Sequence, residues 1–461
     1  MRGRPACAAS VPSATLSFSG AALRAILAAH TPPDATGLVV ALSGGADSAN
    51  LLAAAASLQG SFRGLQLRAV HVDHGMQAAA PAFREACAAL CANLLVPLTV
   101  LSLVVQAPRG ASIEAAARDA RYAALAAELK AGECLLTAHH SADQAETLLL
   151  QALRGAGLKG MSAMPLCRRL GQGWHLRPVL HTPQHELLGL GAHLNGASTP
   201  DPMNDDVRFD RSYLRRQVWP LIEARWPAAG ATLARAARHA GEAQELSEVW
   251  AAAQVSKLRD GDALSVSGLR VLVPQARVNA LRFWLTEAGV DAPPAARLTE
   301  ALRQMLDAQS DHLPAVVWGN HAMRRYRQRI FLTPAHPPRL QGRLPWSRSS
   351  TEPLDLGPDL GALRWVAQAG GLDSARLGEI LTVRRRAGGE TLKPAAAART
   401  QSVQHLYQSQ GVLPWMRDAL PLLYAGEALV AVGDLWLDAR FRAAAGAPGI
   451  AIVWERAPII V

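Results

Sequence analysis

The sequence is short of cysteine, of charge and of long apolar runs, and each shortage removes a class of protein. Its five cysteines (Cys7, Cys87, Cys91, Cys134, Cys167) are an odd count with no C-x-x-C, which argues against a disulfide scaffold and against a zinc or iron–sulfur site. Cys87 and Cys91 stand four apart in a helical pattern and read as two core thiols on one face. No apolar run reaches the roughly 18 residues that a membrane span needs. Arg2 and Arg4 open the chain, but Pro, Ser and Thr interrupt the next residues before a secretory apolar region forms, so the expected compartment is the cytoplasm. Charged residues make up only 18% and hydrophobic ones 50%, which is the balance of a globular protein and not of a disordered one.

What is present is length and positive charge. At 461 residues the chain is long for one core, and two or three domains are expected. Lys plus Arg outnumber Asp plus Glu by 47 to 37, a surplus of +10. That surplus suits a polyanion, nucleic acid before membrane, but a basic surface with no partner explains it equally well.

From Gly37 to about Gly155 short apolar runs alternate with longer helical ones: "GLVVALS", "LQLRAVHVDHG", "VPLTVLSLVV" and "GECLLTAHH" are each followed by a helical pattern. The expected architecture is α/β, a parallel Rossmann-like sheet covered on both faces, with ligands beyond the carboxyl ends of its strands. This first domain is placed at 21–220. Ala- and Leu-rich helical stretches then indicate a mainly helical middle domain, 221–335, which ends in two strand-like runs, "AVVW" and "RRYRQRIFL", around a turn at Gly319-Asn320. The Pro-, Arg- and Ser-rich stretch 336–377 reads as a linker, and 378–461 as a small α+β domain.

In the first domain "VVALSGGADSANLL" passes from strand through Ser43-Gly44-Gly45-Ala46-Asp47-Ser48 into a helix. Glycines there let several N–H groups converge on one anion at the positive end of a helix. No Gly-Lys-Ser/Thr follows, so this is not a Walker A loop. Asp47 inside such a cradle makes chemical sense as a Mg²⁺ ligand, although an ordinary Gly-rich turn capped by Ser and Asp has the same composition. In "TAHHSADQAET" Ser141 with Gln144 reads as a capping box, which puts Asp143 in the first turn and His139 and His140 on the preceding loop. Asp73 and His74, in "VHVDHGM", end another strand and either border a nucleotide or form a plain polar turn. On the helix "SIEAAARDARY", Glu114 and Arg118 make an ordinary ion pair of ~0.3–0.5 kcal/mol, while Arg121 and Tyr122 are left to meet phosphate or a base.

Taken in order, "ALSGGADS", "HVDHGM", "SIEAAARDARY", "TAHHSADQAETLLLQALRGAG" and "DPMNDDVRFDRSYLRRQVWPLI" resemble successive blocks of the tRNA(Ile)-lysidine synthetases, N-type ATP pyrophosphatases. "VRRRAGGETLKP" and "GVLPWMRDALPLLYAGEALVAV" resemble that family's C-terminal domain. The resemblance implies a two-step reaction. ATP adenylates the C2 oxygen of the wobble cytidine in the CAU anticodon of an isoleucine tRNA, and the amino group of free L-lysine then displaces AMP. It implies ATP binding by Ser43, Gly44, Gly45, Ala46, Asp47, Ser48, Asp73 and His74, Mg²⁺ on Asp47 and Asp143, and catalytic roles for Asp47, His139, Asp143 and Arg121. Arg208, Arg211, Arg215, Arg384, Arg385, Arg386 and Lys393 are the implied tRNA contacts, and a homodimer is left open.

Three positions depart from the family's pattern. Ala142 stands where a second Asp is common, Ser212 where an Asn follows Arg, and Val403-Gln404 where Leu-Lys is usual. Since Mg²⁺ often needs only one or two protein carboxylates beside phosphate, Asp47 and Asp143 suffice and an active enzyme is expected. The alternatives are a tRNA sulfur-transferase of the same fold, a ligase acting on a small metabolite, and a silent tRNA-binding homologue.

Overall fold

Val39 and Leu135 reach a small cluster with Leu125 and Leu129, while their neighbours Val40 and Leu136 reach a large cluster with Leu23, Leu51, Leu52 and Leu187. Successive strand residues face opposite sides, so a strand covered on both sides must be apolar throughout. That is why these strands appear as unbroken hydrophobic runs. The computed structural model describes residues 19–61, 64–73, 80–103, 113–190, 209–309, 312–395 and 399–458. The chain divides into two compact units at Ser247/Glu248.

The first unit runs α1 (Gly20–His30), β1 (Gly37–Ala41), α2 (Ala46–Ser57), β2 (Gln66–Asp73), α3 (Ala80–Asn93), β3 (Leu98–Ser102), α4 (Ile113–Glu128), β4 (Glu133–Leu136), α5 (Ser141–Leu153), α6 (Leu158–Met161), β5 (Cys167–Leu170), β6 (Gly173–Leu176) and α7 (Gln184–Leu190). Its sheet has the order β3-β2-β1-β4-β6-β5. All pairs are parallel except β5 with β6, and Val40 aligns with both Ala69 and Leu136. The order reverses between β1 and β4, which opens a crevice beyond their carboxyl ends. Cys87 and Cys91 lie in the core, where burial pushes their thiols up to about 12 and about 11. A helical segment comes next, α8 (Asp210–Tyr213), a π-helical turn over Leu214–Val218 and α9 (Trp219–Arg225), and then α10 (Ala229–Leu258).

In the second unit helices Pro274–Glu287 and Ala295–Asp307 pack on strands Ala315–Trp318, His321–Tyr326 and Arg329–Pro334. The turn at Gly319-Asn320 is present, but the expected second strand is broken at Arg327, whose φ of +54° starts a further hairpin. Residues 336–377, expected as a linker, instead contain strands Arg343–Ser347, Leu354–Asp355 and Ala362–Leu372. Trp346 stacks on Trp365 with centroids 4.2 Å apart, and Leu340, Leu356, Leu360 and Leu363 join the same core. Surface prolines, arginines and serines hid that apolar set. Phe331, from the helical region, packs edge-on against Trp415 at 5.4 Å and belongs to this core too. The helical middle keeps a core of its own around Leu281, Trp284, Leu298 and Met305, while its Ala263 and Phe331 join the core of the C-terminal sheets.

Candidate active site

Beyond β1 the chain turns through Ser43-Gly44-Gly45 into α2. Gly44 has φ +88°, and a Cβ there would lie 2.6 Å from Cδ1 of Phe83, so both conformation and space demand glycine. Two serines tie the loop. The Ser43 N–H donates to Ser48 Oγ at 3.1 Å, the two hydroxyls are 3.0 Å apart, and Ser48 Oγ donates to the Gly45 carbonyl at 3.0 Å. Gly45 caps α2 without a side-chain bond. The first-turn N–H groups thus have no carbonyl four residues back, and they point out at the positive end of the helix. This is an anion cradle.

Across the switch point, β4 leads through Thr137, His139 and His140 into α5. His140, not Ser141, is the residue before the helix, and the Asp143 carboxylate accepts its backbone N–H at 3.0 Å. Gln144, expected to complete a capping box, instead clamps the Met164 backbone by two bonds of 2.8 and 2.9 Å. The buried His140 ring sets Nε2 3.6 Å from Asp47 Oδ2 and 3.5 Å from Asp143 Oδ2. Burial opposes its charge, but the carboxylates of Asp47 and Asp143 outweigh burial and raise its pKa above the ordinary value. Gln184, at the start of α7, donates to both Asp47 oxygens at 3.3 and 3.2 Å.

Asp143 and Glu146, one turn apart on α5, receive Arg211 and Arg215, one turn apart on the helical segment after residue 209. Arg211 donates to Glu146 Oε2 at 2.9 Å and to Asp143 Oδ1 at 2.8 Å. Arg215 donates to both Glu146 oxygens at 2.7 and 2.9 Å and to Asp143 Oδ1 at 3.2 Å. Burial disfavours the Asp143 carboxylate, but His140, Arg211 and His139 hold its pKa below the usual range.

His139 faces different company. Its Nδ1 lies 2.8 Å from Thr137 Oγ1, which is 2.9 Å from Nε2 of the wholly buried His175. Burial, with Arg177 and Arg121 nearby, brings His139 down to about 3 and His175 to about 2. Arg118, Arg121 and Arg168 set their guanidinium carbons 5.9, 5.6 and 5.5 Å from the Tyr122 ring centroid. Arg177 is buried beside them, its pKa lowered to about 10 chiefly by desolvation, so it stays charged at neutral pH.

The fold brings Ser43 to Ser48, His139, Asp143, Arg121, Arg211 and Arg215 into one unit around the β1/β4 crevice. Asp73 ends β2, the strand beside β1. His74 and Arg208 lie outside the described residues, as does the side chain of Glu114. Arg384, Arg385, Arg386 and Lys393 belong to the second unit. There Arg384 stacks over Tyr424 at 4.0 Å, Arg386 bonds Asp418 at 3.0 Å, and Arg385 is exposed. Arg211 and Arg215, expected to offer a basic face to tRNA, are instead occupied by buried carboxylates. Sequence reasoning missed Glu146, Gln184, Thr137 and His175, and it noticed His140 without giving it a role. The D-x-x-E spacing of Asp143 and Glu146 against the R-x-x-x-R spacing of Arg211 and Arg215 was the available signal for Glu146.

Among the described residues no three His, Cys, Asp or Glu side chains form a ready metal cage. Asp47, half-exposed beside the anion cradle, fits the arrangement in which one carboxylate and phosphate oxygens share Mg²⁺. Asp143 would first have to release an arginine.

A doubly wound sheet with this Ser-Gly-Gly-x-Asp-Ser cradle at its switch point defines a PP-loop enzyme, and residues 21–222 match the family described as PP-loop domain. Residues 264–331 match the TilS substrate binding domain and 381–454 the TilS substrate C-terminal domain. The chain is 40% identical to the tRNA(Ile)-lysidine synthase of Alkalilimnicola ehrlichii over 91% of its own length and 94% of that protein's. Against those of Nitrosomonas europaea and Methylococcus capsulatus it is 36% and 37% identical, covering 92% of this chain and 92% and 95% of theirs. The chain belongs to the tRNA(Ile)-lysidine synthase family.

Proposed function

We infer that this protein is a ligase that uses ATP to join lysine to the wobble cytidine of an isoleucine tRNA with a CAU anticodon. The observation that carries the reading, beside family membership, is that an anion cradle and an acidic turn meet across the switch point, joined by His140 between Asp47 and Asp143. The cytidine C2 oxygen attacks the α phosphate and pyrophosphate leaves. The lysine amine then adds at C2, AMP departs with that oxygen, and the amine loses a proton.

The N–H groups of residues 44 and 46–48 would grip the leaving phosphates, while Ser43, which accepts the Gly45 N–H at 3.3 Å, and Ser48 hold the loop in shape for it. Asp47 would hold Mg²⁺, which when bound neutralises phosphate charge. Asp143 and Glu146, locked by Arg211 and Arg215, hold the end of α5 and with it His140 in register with Asp47. Ala142, half-buried at the second position of α5, leaves this constellation complete without a second aspartate. The exposed Arg385 and the half-buried Lys393 in the second unit are assigned to the tRNA backbone, where lysine and arginine side chains replace condensed counterions. No helix among the described residues is long and apolar enough to cross a membrane, and the reaction is assigned to the cytoplasm, where tRNA is found.

Radiolabelled lysine, ATP, Mg²⁺ and a CAU-anticodon isoleucine tRNA transcript test this directly. Label should enter the RNA with the wild-type protein and fall by on the order of 10²–10³-fold with Asp47→Ala. Folded wild-type protein that binds the tRNA yet incorporates no label would overturn the reading.

A further inference from the structure

Thr137, the first residue beyond β4, bonds two imidazoles at once. Its Oγ1 is 2.8 Å from His139 Nδ1 and 2.9 Å from His175 Nε2. A hydroxyl has one proton and two lone pairs, so it could accept from both rings, but among the described residues its own proton has no acceptor other than these rings. It therefore donates to one ring and accepts an N–H from the other. With both rings neutral, two arrangements are available. In the first, His175 donates from Nε2 to Thr137, which donates to Nδ1 of His139, and His139 keeps its proton on Nε2. In the second, both bonds reverse, and His175 must carry its proton on Nδ1.

The surroundings of His175 choose between them. The residue is 0% exposed and its Nδ1 has no hydrogen-bond partner among the described residues. In the second arrangement that atom is a donor sealed away without an acceptor. In the first it is merely an unused lone pair. Buried orphan donors are the rarer and costlier defect. Double protonation of His175 offers no escape, because burial and the charges of Arg177, Arg168 and Arg121 around it drive its pKa to about 2.

We propose that Thr137 and His175 are positioning residues that hold His139 as its neutral Nε2–H tautomer, so that His139 acts as a hydrogen-bond donor to a phosphoryl oxygen and not as a base. Nδ1 of His139 is committed to Thr137, and Nε2 makes no hydrogen bond to a described residue. A neutral ring that resists a second proton donates without changing charge, as electrostatic stabilisation of a developing oxyanion requires. The role, though not the tautomer, rests on the proposed lysine-ligating activity. The proton of the attacking amine must then leave to water or to a carboxylate.

Protein labelled with ¹⁵N-histidine would be examined by two-bond ¹H–¹⁵N correlation, with His139→Gln and His175→Gln used to assign the two rings. Both should show a protonated Nε2 and a bare Nδ1, and an Nδ1–H signal for His139, or exchange averaging of its two nitrogens, would overturn the proposal. Thr137→Val keeps the shape and removes the hydroxyl. It should let the His139 tautomers average and lower kcat by about 10–100-fold, below the ~10²–10³ of losing a direct donor, with KM for ATP and tRNA nearly unchanged. Thr137→Ser and His175→Gln, which keep the O–H and an N–H at the right place, should restore most of the rate. If Thr137→Val frees the tautomer but leaves kcat intact, the catalytic role is wrong. A wild-type protein with the stated tautomer and no lysine incorporation would instead overturn the proposed function and leave the tautomer standing.

Discussion

His139 and His140 are neighbours in the chain and opposites in setting, because they face the two walls of one crevice. The His140 wall is acidic: Asp47 and Asp143 lie 3.6 and 3.5 Å from its ring and favour the imidazolium. On the His139 side burial comes first, with Arg177, Arg211 and Arg121 adding to it against the opposing charge of Asp143, and His175 lies behind Thr137; both rings are favoured neutral. Both residues are largely removed from water. The comparison teaches that burial alone does not set the charge of a histidine. At His139 burial prevails although Asp143 pulls the other way, whereas at His140 the carboxylates of Asp47 and Asp143 prevail over burial.

Arg211→Ala strikes the acidic wall hardest. It leaves Glu146, whose side chain is 3% exposed, and Asp143 with Arg215 as their one remaining arginine among the described residues. The expected loss is ~3 kcal/mol, read as faster hydrogen exchange of the α5 amides. Arg215→Ala should cost less, about 1 kcal/mol, because that side chain is 40% exposed. Equal effects would mean that the ion cluster does not hold α5.

Gly44→Ala comes next, at ~1–3 kcal/mol of local strain, with weaker ATP binding measured by calorimetry. Adding Phe83→Leu should return only part of the loss, since it clears the contact at 2.6 Å but leaves φ at +88°. Full recovery would show that space, and not backbone conformation, made this position glycine.

The smallest effect is a pH slope that separates the two walls. Below the ordinary histidine value near 6.5, the unfolded chain takes up a proton at residue 175 that the folded protein refuses until about pH 2. Folded stability from His175 is therefore present above pH ~6.5 and is lost as pH falls below it, by at most ~1.4 kcal/mol per pH unit. His140, whose folded pKa is raised, contributes in the opposite sense: its stabilisation is present below ~6.5 and is lost as pH rises through the folded value. Denaturant midpoints at pH 7.5 and 5.5 should differ less in His175→Gln than in wild type, and more in His140→Gln. The reverse order would refute the assignment of charge states.

Much of the first unit was legible because its determinants are local. Strands buried on both faces must be apolar, and a loop that crowds Phe83 at positive φ must be glycine. The second unit was harder to read. Trp346 and Trp365 pair across 19 positions whose prolines, serines and arginines look like linker, and only the shared core shows that they are strands. In the active site, Arg211 meets Glu146 from 65 residues away, Gln184 meets Asp47 from 137, and His175 meets Thr137 from 38. No periodicity links such partners.

By itself the sequence determined the alternation of strand and helix, the anion cradle at residues 43–48 and the family to which the chain belongs. Each depends on residue type and short spacing, which act through neighbouring backbone. Tertiary structure alone decided that His140 lies between carboxylates, that His139 lies among arginines, and that Arg211 and Arg215 are drawn to Asp143 and Glu146. Charge state is set by the ions and the solvent within a few ångströms, and folding draws those ions from distant parts of the chain.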